Sequence, residues 1–173
     1  MVLFPSELIV SRSLQKTLRK HAFEIRVDTA FQAVMSACAQ APRDGQNGTW
    51  ITAEMIDAYC ALHKQGIAHS IETWMDGELV GGLYGIALGQ AFFGESMFAR
   101  ATDASKIAFV HLVRQLQRWQ FGIIDCQMRT DHLARFGARE IPRSQFSALL
   151  AKLVNCSNPV TTSPWKFDND LHE

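Results

Sequence analysis

Asp125 and Gln127 carry the most suggestive chemistry in this sequence. They flank Cys126 in the run Ile123-Ile124-Asp125-Cys126-Gln127. Burial raises the pKa of a carboxylate and makes it a usable base. Residues two apart on a strand point to one face. The spacing therefore predicts an acid and an amide side by side, able to hold an amine and a carbonyl together; the same Asp would also serve as a plain strand-end cap. Glu95 is a second isolated carboxylate, set between Phe92-Phe93-Gly94 and Ser96-Met97-Phe98. Among aromatics it is costly unless paired or used, and otherwise it turns outward at a strand end. The six histidines are scattered. His63 and His69 lack the spacing of a helical zinc pair, and His132 has no evident nucleophile. Structural or surface roles are expected for all six. No Gly-x-Ser-x-Gly elbow and no Gly-rich P-loop occurs.

The elements that must position these groups follow from periodicity and punctuation. Asp28 to Gln40 predicts a helix capped by Asp28, with Ala30, Phe31, Val34, Met35 and Cys38 as its apolar stripe. A loop at Pro42–Gly48 and a second helix capped by Thr52 and ended by Gly66 come next. Ala68 to Met75, the turn Asp76-Gly77 and Leu79 to Leu88 predict a β-hairpin. A third strand is expected near Ala91 to Glu95. Asp103 is expected to cap a helix reaching Gln120, with Phe109, Leu112, Val113, Leu116 and Trp119 on its apolar face and His111, Arg114, Gln115 and Arg118 opposite. A short strand at Ile123–Gln127, a short helix at Thr130–Phe136, a strand at Arg139–Ile141 and a helix at Ser144–Val154 complete the order. This predicts an α+β fold with a mixed sheet containing an antiparallel meander. Residues 1–155 are expected to form one domain and 156–173 a loosely structured tail.

Composition narrows the functions available. The chain has 173 residues with 17 basic and 17 acidic, a formal net charge of zero. Bulk electrostatic binding of long nucleic acid would call for a basic chain. Any nucleic-acid contact must be local, and the small basic cluster Arg12, Lys16, Arg19, Lys20 with His21 is the candidate; a solvated face is the alternative. The longest charge-free run, Leu79 to Gly94, has 16 residues with five glycines, too short for a membrane span. The start shows no secretory signal. The four cysteines, Cys38, Cys60, Cys126 and Cys156, are far apart, which suits a reduced cytoplasmic protein without a disulfide framework or zinc site.

The succession TWITAEMIDAYCALHKQGIAHSIETW, GELVGGLYGIALGQAFFGESMFAR, ASKIAFVHL and IIDCQMRTDHLARFGAREIPR resembles bacterial leucyl/phenylalanyl-tRNA–protein transferases, collinearly from about Met1 to Phe146. The resemblance implies a GNAT-like acyltransferase core and transfer of Leu or Phe, and also Met, from aminoacyl-tRNA to N-terminal Arg or Lys of proteins. That step marks the acceptor for degradation. It implies no metal or organic cofactor, and a cytoplasmic, monomeric enzyme. The family's relay falls on Asp125 and Gln127, with the Asp orienting the Gln as the attacking amine loses its proton. Its donor pocket falls on Trp50, Tyr59, Leu83, Phe92, Leu112 and Ile124, with Glu95 at the polar edge. Leu83 stands where Met is expected, and Leu112 where some members have Phe. The family carries a further aromatic-rich segment before the point where this sequence begins, so part of the donor pocket is expected to belong to that segment.

Two other functions fit parts of this pattern. An acyl-CoA N-acetyltransferase of the same fold would need a [QR]-x-x-G-x-[GA] loop, and no glycine here has Gln or Arg three residues before it. A non-catalytic remnant would bind tRNA or an N-terminal peptide without transfer.

Overall fold

The computed structural model describes residues 1–20, 22–42, 49–156 and 165–168. His21 and most of the Pro42–Gly48 loop lie outside them. The strands are β1 (Val2–Leu3), β2 (Glu24–Val27), β3 (Ala68–Met75), β4 (Glu78–Leu88), β5 (Ala91–Ala99) and β6 (Ile123–Asp125). The helices are α1 (Arg12–Leu18), α2 (Phe31–Gln40), α3 (Ala53–Lys64), α4 (Ala104–Arg118), α5 (Asp131–Ala134) and α6 (Arg143–Leu153). One sheet runs in the order β1-β6-β5-β4-β3-β2. From β2 to β5 it is an antiparallel meander, β5 and β6 pair in parallel, and β1 is antiparallel to β6. The expected mixed sheet with a meander is therefore present.

The hairpin at Asp76-Gly77 has φ of 52° and 80°, the left-handed pair that matches strand twist. α4 packs on one face of the sheet, where Ile71, Leu83, Phe92, Leu112, Leu116 and Ile124 are buried together. α2 and α3 cover the other face through Val34, Met35, Cys38, Ala68, Tyr84 and Phe98. Gly85 makes room on the α4 face, because a Cβ there would run into the Phe93 carbonyl and meet the Phe92 ring at 2.5 Å.

Several local expectations change on folding. Asp28 does not cap α2. Its carboxylate accepts from His69 Nδ1 at 2.7 Å and from the Ser70 N–H at 2.8 Å. The start of α2 is satisfied instead by Glu72 on β3, which is fully buried and accepts from the Thr29 N–H at 2.9 Å and the Ala30 N–H at 2.7 Å. It also accepts from the Thr29 hydroxyl, Ser70 Oγ and Trp74 Nε1. Asp103 has φ 64° and gives α4 no side-chain cap, pairing with Lys106 instead. His111 and Gln115, expected on a polar face, are buried. Thr52 does cap α3, accepting from the Met55 N–H.

β1, α1 and β2 are elements that the sequence patterns do not predict, β5 runs on to Ala99, and the expected strand at Arg139–Ile141 is reduced to one bridge between Val2 and Arg139. Trp165 is buried and stacks on His69 at 3.7 Å, and Asp168 exchanges two hydrogen bonds with the Gln115 amide.

Candidate active site

β5 and β6 pair only as far as Phe93 with Asp125, although β5 continues to Ala99. β6 ends at that point, while β5 runs on without it. Opposite β4, Tyr84 pairs with Ser96 and Gly85 with Gly94, so Glu95 is the extra residue of a β-bulge. The bulge brings the Glu95 carboxylate to Gln127, just past the end of β6. Gln127 lies beyond the end of β6 with φ 58°, so strand alternation does not place it beside Asp125. A tight turn does so instead. The Asp125 Oδ1 accepts the Gln127 backbone N–H at 2.9 Å. The Gln127 Nε2 donates to the Gly94 carbonyl at 3.1 Å and to Glu95 Oε2 at 3.2 Å. Asp125 thus fixes the backbone of Gln127, and Gly94 with Glu95 fixes its amide.

An apolar cavity of about 270 Å³ opens at this array, lined by Leu83, Phe92, Leu112, Ile124, Glu95 and Asp125 among others. Asp125 and Gln127 also line a separate cavity of about 370 Å³ with Met128, Ile141, Arg143 and Phe146. Asp125 is therefore shared by an apolar compartment and a more polar one. Trp50 and Tyr59 do not line the apolar cavity. Tyr59 packs edge-on to Tyr84 on the opposite face of the sheet, at 5.5 Å. Its phenol pKa is pushed up to about 12, by burial and then by the neighbouring Glu95 carboxylate, to which it hydrogen-bonds. Trp50 is 41% exposed at the start of α3. Arg12, Lys16, Arg19 and Lys20 are all exposed on α1 and the turn after it.

The cavity has walls that spacing did not reveal. Met97, Phe109, Thr130, His132 and Leu133 also line it. Met97 stands within the GESMF run, two residues from Glu95, and that adjacency was the available signal. Cys126 lines it too, but burial and then the charge of Asp125 push its thiol up to about 12, so it is protonated at neutral pH and is no nucleophile. All four cysteines are free.

The model of the family described as leucyl/phenylalanyl-tRNA protein transferase matches residues 2–151. The chain belongs to this family. The relatives include leucyl/phenylalanyl-tRNA–protein transferases of Nitrosomonas europaea, 64% identical over 97% of this chain and 70% of that protein, and of Nitrosospira multiformis, 65% identical over 100% and 73%. The Myxococcus xanthus transferase is 54% identical over 95% of this chain and 69% of its own. A solved L-PGS of Bacillus licheniformis superposes with a TM-score of 0.49 at 10% identity, covering 91% of this chain and 53% of that one, too distant a likeness to inform the fold. Membership makes the chain a transferase. No helix among the described residues is long and apolar enough to cross a membrane.

Proposed function

We propose that this chain transfers Leu, Phe or Met from aminoacyl-tRNA to the α-amine of proteins that begin with Arg or Lys, marking them for degradation. The observation that carries the reading is the junction of an apolar cavity with Asp125, Gln127 and Glu95. The donor's side chain occupies the cavity on Leu83, Phe92, Leu112 and Ile124. Its ammonium group pairs with Glu95 at the rim. The acceptor amine enters from the side where Asp125 and Gln127 face the second cavity. Trp50 and Tyr59, on the other face of the sheet, offer aromatic surface to the terminal adenosine.

The amine nitrogen attacks the ester carbonyl carbon, the new C–N bond forms, and the ester C–O bond breaks. The amide oxygen of Gln127 accepts the amine's N–H, and the proton lost passes to the departing ribose oxygen. Asp125 holds Gln127 in place and stabilises positive charge on the attacking nitrogen. An α-amine has a pKa near 7.7, so much of the work is positioning. Arg12, Lys16, Arg19 and Lys20 meet a few tRNA phosphates, a contact suited to a chain of zero net charge. The parallel pairing of β5 with β6 beside an antiparallel meander supports a GNAT-like acyltransferase core. The enzyme works as a monomer in the cytoplasm, where charged tRNA is found.

Thermal protection tests the donor assignment. A non-hydrolysable leucyl-adenosine at 100 times its Kd stabilises by about 2.7 kcal/mol. We expect that shift with leucyl-adenosine and none with acetyl-CoA; protection by acetyl-CoA alone would reverse the assignment.

A further inference from the structure

His132 stands between two cavities. Its ring lines the apolar cavity of about 270 Å³ and also a second one of about 250 Å³ behind it, formed with Ile9, Ser13, Leu14, Lys106, Arg135 and Phe136. It is the residue that the two linings share. Thr130 caps the short helix that carries it, accepting from the Leu133 N–H at 3.2 Å. The ring meets Phe136 edge-on at 5.4 Å, and Phe136 meets Phe109 at 5.0 Å, so aromatic contacts hold the wall upright.

The His132 Nε2 is buried and meets no hydrogen-bond partner among the described residues. Burial, and then the charges of Lys106 and Arg135, hold the imidazole below the usual histidine pKa, so the ring is uncharged at neutral pH and can face an apolar space. The compartment behind is of a different character, with Lys106, Arg135, Ser11 and Ser13 around it.

We propose that His132 is the partition that limits the length of side chain the donor cavity accepts. The inference rests on reading that cavity as the aminoacyl donor pocket. Removing the ring joins the two spaces and nearly doubles the room available to an acyl side chain. Longer donors, such as those with a two-ring aromatic group, then fit where the wild-type wall excludes them.

The test measures Kd by calorimetry for non-hydrolysable aminoacyl-adenosines carrying Leu or 2-naphthylalanine. In His132→Ala the affinity for the naphthyl probe, relative to Leu, should rise about tenfold or more, as expected when an apolar pocket stops rejecting extra carbon. His132→Val removes part of the ring and should move the ratio in the same direction by less, so one folded variant suffices. Leu133→Ala enlarges the first cavity without breaching the wall, and His132→Leu keeps the wall while removing the nitrogen; neither should reach the gain of His132→Ala. An unchanged ratio in folded His132→Ala or His132→Val, or an equal gain in Leu133→Ala, overturns the partition. A wild-type chain that fails to bind the leucyl probe overturns the donor-pocket reading itself.

Discussion

Truncating Gln127 to Ala removes one amide and, with it, both contacts that aim it. The Nε2 bonds to the Gly94 carbonyl and to Glu95 disappear, while the backbone N–H bond to Asp125 remains. A hydrogen bond to a charged group contributes about 1.5–3 kcal/mol. If that energy is expressed in the transition state, it amounts to roughly 10- to 150-fold in rate. Gln127 is exposed, so the lower part of the range applies, and we expect kcat/KM to fall about ten- to thirtyfold. Stability should change by less than about 0.5 kcal/mol, as for surface substitutions. Asp125→Asn separates orientation from charge. Its amide oxygen still accepts the Gln127 N–H, so the turn survives, yet transfer should drop by at least roughly tenfold because the negative charge beside the attacking nitrogen is gone. The assay is steady-state transfer of labelled Leu from charged tRNA to an Arg-starting peptide, with thermal unfolding run in parallel. Turnover within threefold of wild type in either folded variant would refute the relay.

The remaining expectations concern selectivity, stability and pH. Leu, Phe and Met should be transferred in preference to β-branched Ile and Val, and Leu112→Phe should impair Phe more than Leu; equal transfer of Ile and Leu in competition assays would contradict the cavity as drawn. Glu72→Gln should destabilise the fold by about 1–3 kcal/mol in denaturant titration, because two backbone N–H groups at the start of α2 lose a charged acceptor. His132 has a folded pKa below its unfolded value of about 6.5. The unfolded chain therefore binds more protons, and stability should fall as pH drops through about 6.5 toward the depressed folded value. Comparing wild type with His132→Leu isolates that loss, and an identical pH dependence in the two would sink it.

Much of the local architecture is legible in the sequence where the signal is itself local. Asp76-Gly77 makes its turn from its own backbone preferences, and Thr52 caps α3 from three residues away. Asp28 has the residue type and place of a helix cap, but its carboxylate goes to His69 and Ser70, more than 40 residues distant. Glu72 caps α2 from a neighbouring strand, which no spacing within the helix announces. Asp125 and Gln127 meet, but not through strand alternation. Alternation would have needed β6 to continue, whereas the chain turns left-handed at Gln127 and the link runs through its backbone N–H. The Glu95 bulge and the two-sided burial of His132 depend on register and on packing between elements, so neither is visible in residue order. Leu83, Phe92, Leu112 and Ile124 line one cavity, but Tyr59 packs on the opposite face, because Leu83 and Tyr84 are neighbours on one strand and point apart.

The most direct measurement of the central claim is mass spectrometry of an Arg-starting peptide after incubation with this protein and leucyl-tRNA. The account predicts a gain of one leucyl residue on the peptide's α-amine, none on the same peptide acetylated at that amine, and a marked loss with Gln127→Ala. Absence of any leucyl product with the folded wild-type protein, or equal modification of the acetylated peptide, would contradict it.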